Sequence, residues 1–81
     1  MNQMKIGSFL KELRNEKGLT QGQLAEQLNV SNRSVSRWET GSTLPDISIL
    51  IELAKFYEVD IKEIIDGERK SEEMDKEMNE T

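Results

Sequence analysis

The chain has 81 residues, with 16 acidic and 11 basic side chains, a net charge of -5, and neither cysteine nor histidine. A chain of this length makes one domain with a modest core. The missing residue types exclude disulfides and thiolate metal sites and remove the commonest general base and zinc ligand. No apolar run approaches the roughly 20 residues of a membrane span, and no signal-peptide pattern opens the chain. The expectation is a cytoplasmic, non-enzymatic domain with no metal, no cofactor and no membrane contact.

Apolar residues recur at helical spacing, and strand signals are nearly absent. A first helix is expected over about Lys5 to Lys17, with Ile6, Phe9, Leu10 and Leu13 on one face and Arg14 at its border. Gly18 supplies the stop. Thr20 and Gln23 form a T-x-x-Q capping box that opens a short second helix with Leu24, Ala25 and Leu28 inward. Gly22 weakens its start by several tenths to about 1 kcal/mol. Asn29 tolerates the left-handed turn that ends it. Val30 points inward, and Ser31 caps a third helix over about Asn32 to Glu39, closed by Gly41.

Pro45 and Asp46 start a fourth helix, Asp46 suiting a cap or first-turn place. Its buried face is expected to be Ile47, Leu50, Leu53, Ala54 and Tyr57, widened by Ile49, Ile51 and Phe56. Asp60 and Glu63 form a second capping box, opening a helix through Ile61, Ile64 and Ile65 that Gly67 closes. The fold class is therefore all-α, five short helices over residues 1–67. Residues 68–81, "ERKSEEMDKEMNET", have only Met74 and Met78 as anchors and read as an acidic, flexible or frayed-helical tail. Charge follows the same division: residues 1–45 sum to +2 and residues 46–81 to -7.

The segment "SNRSVSRWET", residues 31–40, holds the candidate chemistry. On a helical wheel Asn32, Arg33, Ser36 and Arg37 share an arc of about 140°, with Val35, Trp38, Ser34 and Glu39 opposite. Such a helix lies on a core by Val35 and Trp38 and turns Asn and Arg outward. An Arg fork matches guanine O6 and N7, and an Asn amide matches adenine N6 and N7. Small hydroxyl residues allow close approach and bond phosphates. A solvated face with two arginines explains the pattern equally well when the helix is taken alone.

The surrounding sequence separates the two. "TQGQLAEQLNVSNRSVSRWETG", residues 20–41, resembles the helix-turn-helix of the Xre family, the family of the lambdoid phage Cro and CI repressors. The likeness extends from "IGSFLKELRNEKGLTQ" through "LPDISILIELAKFYEVDIKEII", about residues 5–66. It implies a Cro/CI-type domain that binds double-stranded DNA and regulates transcription, most often as a repressor. By the same resemblance Asn32, Arg33, Ser36 and Arg37 would read bases in the major groove. Gln21, Ser31, Ser34, Thr40, Ser42 and Thr43 would contact phosphates, and Arg14 and Glu39 would form a buried salt bridge. Tyr57, Val59, Ile61 and Ile65 fall where relatives dimerise, although they also suit the core. The loop after Gly41 departs from the pattern, lacking the Lys or Arg that many relatives place on phosphates.

Few cations face the expected DNA, so counterion release is limited. Affinity is then expected from a homodimer on a palindromic operator with half-sites about one helical turn apart. The main alternative is a protein-interaction or antitoxin-like module of the same fold. An enzyme is disfavoured, since only carboxylates and lysines are left for chemistry. The tail reads as a solvated extension, a link to a further C-terminal module or protein partner, or an acidic mimic of DNA.

Overall fold

The computed structural model describes residues 1–70, which form α1 (Gln3–Glu16), α2 (Gln21–Leu28), α3 (Asn32–Thr40), α4 (Ile47–Tyr57) and α5 (Ile61–Asp66). No strand occurs among the described residues. Residues 71–81, and with them the expectations for Met74 and Met78, lie outside the described residues.

Each helix starts on a side-chain cap. Asn2 accepts the Lys5 amide at 3.0 Å, which begins α1 two residues earlier than apolar spacing suggests. The Thr20 hydroxyl accepts the Gln23 amide at 3.0 Å while the Gln23 carboxamide accepts the Thr20 amide at 2.9 Å. Ser31 accepts the Ser34 amide, and Asp46 the Ile49 amide, each at 3.0 Å. Asp60 accepts the Lys62 amide at 2.9 Å, and Glu63 reaches back to the Asp60 amide at 2.9 Å. These bonds satisfy amides that have no partner within the helix.

The five helices also end alike. A left-handed residue follows each last turn: Gly18, Asn29, Gly41, Glu58 and Gly67. The next amide then bonds back five residues, from Leu19 to Arg14, Val30 to Ala25, Ser42 to Arg37, Val59 to Ala54 and Glu68 to Glu63, at 2.9–3.2 Å. This is the Schellman closure. Glu58 is the member that sequence chemistry does not announce, because its side chain disfavours that conformation.

The core joins Ile6, Phe9, Leu10 and Leu13 of α1, Leu24, Ala25 and Leu28 of α2, and Val35 and Trp38 of α3. Leu50, Leu53, Ala54 and Tyr57 of α4 and Ile64 of α5 complete it. α1 and α2 pack on α3, and α5 packs on both α1 and α4.

One expectation for α4 is corrected. Ile47 is 61% exposed and Ile51 43% exposed, whereas Leu50, Leu53, Ala54 and Tyr57 are buried. Ile49 and Phe56, on the other flank, are half-buried against the core. Both flanks of the α4 stripe are apolar, so periodicity cannot choose between them; the elements packed beside α4 cover the Ile49–Phe56 side.

Candidate nucleic-acid interface

α3 has two unlike sides. Val35, Trp38 and Glu39 are buried, while Asn32, Arg33 and Arg37 are exposed and Ser36 is half-buried. The inward anchors set the rotation of the helix, which leaves the Asn and Arg side chains outward. Among the described residues no carboxylate pairs with Arg33 or Arg37. Lys5, by contrast, is bonded to Glu68 at 2.9 Å, and the Lys17 ammonium lies 4.9 Å from the centre of the Phe56 ring.

Hydroxyl pairs flank the helix. Ser31 and Ser34 lie 2.9 Å apart, oxygen to oxygen. Only one hydrogen is needed for that bond, so the other hydroxyl hydrogen is left to donate outward. At the far end Thr40 donates to the Arg37 carbonyl at 3.2 Å and lies 3.1 Å from the Ser42 hydroxyl. With the Thr40 hydrogen so placed, Ser42 donates to Thr40, and a phosphate contact there requires one hydroxyl to turn. Thr43 is exposed in the loop beyond.

Arg14 and Glu39 form a buried hub behind this surface. Arg14 Nε and Nη2 donate to the two Glu39 carboxylate oxygens at 2.7 and 3.0 Å, and Nη1 donates to the Leu19 carbonyl at 2.7 Å. The side-chain hydrogen bond to Glu39 raises the Arg14 pKa and so holds the guanidinium charged, against the opposing effect of burial. Gln21 Nε2 also donates to Glu39, at 3.0 Å. The hub therefore ties the ends of α1 and α3 to the start of α2.

Tyr57 is buried near the hub. Burial, and then the Glu39 charge, push its hydroxyl up to about 12, with Arg14 opposing. Among the described residues that hydroxyl has no hydrogen-bond partner. Val59, Ile61 and Ile65 are half-buried, Val59 and Ile61 against the core.

Sequence reasoning missed two contributors. A Cβ on Gly7 would lie 2.3 Å from the Trp38 carbonyl oxygen and 2.8 Å from that of Glu39. Gly7 thus lets α1 reach the last turn of α3, and nothing in its local sequence marks it. The second is the bond from Gln21 to Glu39: the residue assigned to a phosphate is also held by the hub.

Comparison with known proteins fits this geometry. A helix-turn-helix family model matches residues 10–64. The HTH-type transcriptional activator BcrR of Enterococcus faecalis is 45% identical over 65 residues, covering 80% of this chain and 32% of BcrR. The HTH-type transcriptional regulator ImmR of Bacillus subtilis is 39% identical over 56 residues, covering 69% of this chain and 44% of ImmR. The chain thus spans less than half of these two relatives. The restriction-modification controller protein C.AhdI from Aeromonas hydrophila superposes with a TM-score of 0.69 at 29% identity, covering 76% of this chain and 94% of C.AhdI. The clp gene regulator ClgR from C. glutamicum, 22% identical, shares the fold with a TM-score of 0.70 over 83% of this chain and 87% of its own. With the family model matched over residues 10–64, more than half of the chain, the chain belongs to the Xre-type helix-turn-helix family of transcriptional regulators.

Proposed function

We propose that this chain reads double-stranded DNA in a sequence-specific manner, with α3 in the major groove. Asn32, Arg33, Ser36 and Arg37 contact base edges; Gln21, Ser31, Ser34, Thr40, Ser42 and Thr43 contact phosphates. The observation that supports this most is the division of α3. Its inner side is locked by Val35, Trp38 and the Glu39 hub, while Asn32, Arg33 and Arg37 are exposed without an ion-pair partner among the described residues. Burying unpaired guanidinium groups is costly, so outward arginines on a rigid helix suit a polyanion rather than a protein core.

Binding is as a homodimer on a palindromic operator, in the cytoplasm. Arg33 and Arg37 are the cations best placed for DNA, since Lys5 is engaged by Glu68. One copy neutralises few phosphates, and two half-sites supply the rest. Of the dimer candidates, Tyr57 is taken up by the core of its own chain, which leaves the half-buried Val59, Ile61 and Ile65. Ile47 and Ile51, exposed one turn apart on α4, join them in the proposed contact. The regulation we propose is repression, by occupancy of the promoter.

Selection from a random DNA library tests the reading. It should return a palindrome, and Arg33→Ala and Arg37→Ala should each cost roughly 1–3 kcal/mol on it and relax the sequence preference. Unchanged affinity of both variants for the selected site overturns the recognition-helix assignment. Capture of a stoichiometric protein partner with no selected DNA motif points instead to an interaction module.

A further inference from the structure

Glu39 makes one bond that the ion pair does not need. Arg14 already supplies two hydrogens to its carboxylate, at 2.7 and 3.0 Å. The third donor is Gln21 Nε2 at 3.0 Å, from the first residue of α2. A carboxylate only accepts, so the group that Gln21 turns inward must be its NH2. That choice fixes the flip of the carboxamide. One N–H is consumed by Glu39, and the second N–H and the carbonyl oxygen of this half-buried side chain make no hydrogen bond among the described residues. A free glutamine side chain at this place would sample several rotamers and both flips, and ordering it at the moment of binding costs conformational entropy.

We propose that Glu39 is a positioning residue for DNA binding: through Gln21 it holds a hydrogen-bond donor ready for a backbone phosphate at the start of α2. The proposal rests on the DNA-reading function above and adds a role for the buried pair beyond stability. Arg14 takes part by keeping Glu39 in place, with its own third donor set on the Leu19 carbonyl at 2.7 Å. The hub thereby couples two parts of the reader. The same carboxylate belongs to the last turn of α3 and orients the first side chain of α2.

The test is a cycle of variants measured on the operator that the wild-type protein selects, with folding of each checked by thermal unfolding. Gln21→Leu removes the carboxamide and keeps its bulk. Arg14→Met combined with Glu39→Leu replaces the buried pair by apolar side chains, a change that folded domains tolerate when volume is kept. Gln21→Leu should lower affinity about tenfold, the worth of one hydrogen bond to a charged group, and the paired variant by up to as much, because an unheld carboxamide must be ordered on binding; both losses should be equal for specific and unrelated DNA. The triple variant should bind no worse than Gln21→Leu alone. Multiplicative losses, or a paired variant that binds like wild type, overturn the positioning role. The wild-type protein provides a second measurement should the paired variant not fold. In its NMR spectrum one Gln21 carboxamide proton should stay fixed on operator binding while the other shifts; movement of both alike also overturns the proposal. A wild-type protein that selects no DNA brings down the function itself, whereas loss of binding in Arg33→Ala beside a multiplicative cycle brings down the positioning role alone.

Discussion

Two helical glycines, Gly7 in α1 and Gly22 in α2, have opposite surroundings. A Cβ on Gly7 meets two carbonyl oxygens of α3 at 2.3 and 2.8 Å. A Cβ on Gly22 meets only the Thr20 hydroxyl, at 3.9 Å. By helix propensity the two residues are equal liabilities of about 1 kcal/mol relative to alanine. In the folded chain one is the condition for the α1–α3 contact and the other is a local weakness at an open helix start. The contrast separates the crowded crossing, where α1 meets the last turn of α3 and the Glu39 hub lies, from the open surroundings of Gly22 itself.

The largest effect should come from the hub at that crossing. Glu39→Ala leaves Arg14 buried without its carboxylate, and urea unfolding should register a loss of about 3–5 kcal/mol. Retention of wild-type stability would show that water reaches Arg14 and that the crossing is looser than its packing implies. Gly7→Ala comes next. Its methyl group collides with backbone, which cannot rotate away, so α1 must shift; a loss of about 1–3 kcal/mol is expected in spite of the better helix former. Thermal unfolding that improves with this change contradicts the close approach of α1 to α3.

Gly22→Ala should act in the other direction, raising stability by several tenths to about 1 kcal/mol, because the new methyl group enters open space and the unfolded chain loses freedom. A drop in melting temperature would mean that the start of α2 is more crowded than a nearest contact of 3.9 Å allows. The surface charges should matter least. Asp46, Asp66 and Glu68 are held below their ordinary values of 3.8, 3.8 and 4.5, chiefly by hydrogen bonds from Ser48, Lys70 and Lys5 respectively. Lowered carboxylate values mean that their contribution is present above the unfolded-state pKa and fades as pH falls through the folded-state value. Unfolding midpoints should therefore decline gently below about pH 4.5, and Lys5→Met should flatten the part due to Glu68. An unchanged acid limb in Lys5→Met would detach Glu68 from α1.

The same exposed pairs connect the first residues after α5 to α1. Residues 68–81 read as tail, yet Glu68 reaches Lys5 at 2.9 Å and Arg69 reaches Glu16 at 2.8 Å. Glu68, Arg69 and Lys70 thus lie against the folded helices. An ion pair between sites so far apart in the chain has no local sequence signature, and "ERK" read alone is a solvated charge run.

What local chemistry controls was legible from the residues in order. Caps at Thr20, Ser31, Asp46 and Asp60 work through side chains within three residues of the amide they bond, so the string itself carries them. The division of α3 into Val35 and Trp38 inward and Asn32, Arg33 and Arg37 outward follows from a period of 3.6 residues and one-sided polarity. The segregation of charge between residues 1–45 and 46–81 is a property of the sequence itself. Tertiary structure alone decided which flank of α4 is covered, leaving Ile47 and Ile51 outside and drawing Ile49 and Phe56 in. It also decided that Gly7 carries a helix contact and that Gln21 bonds Glu39, eighteen residues away. These outcomes depend on which atoms arrive from remote segments, and a periodic pattern specifies the face a helix offers but not the neighbour that meets it.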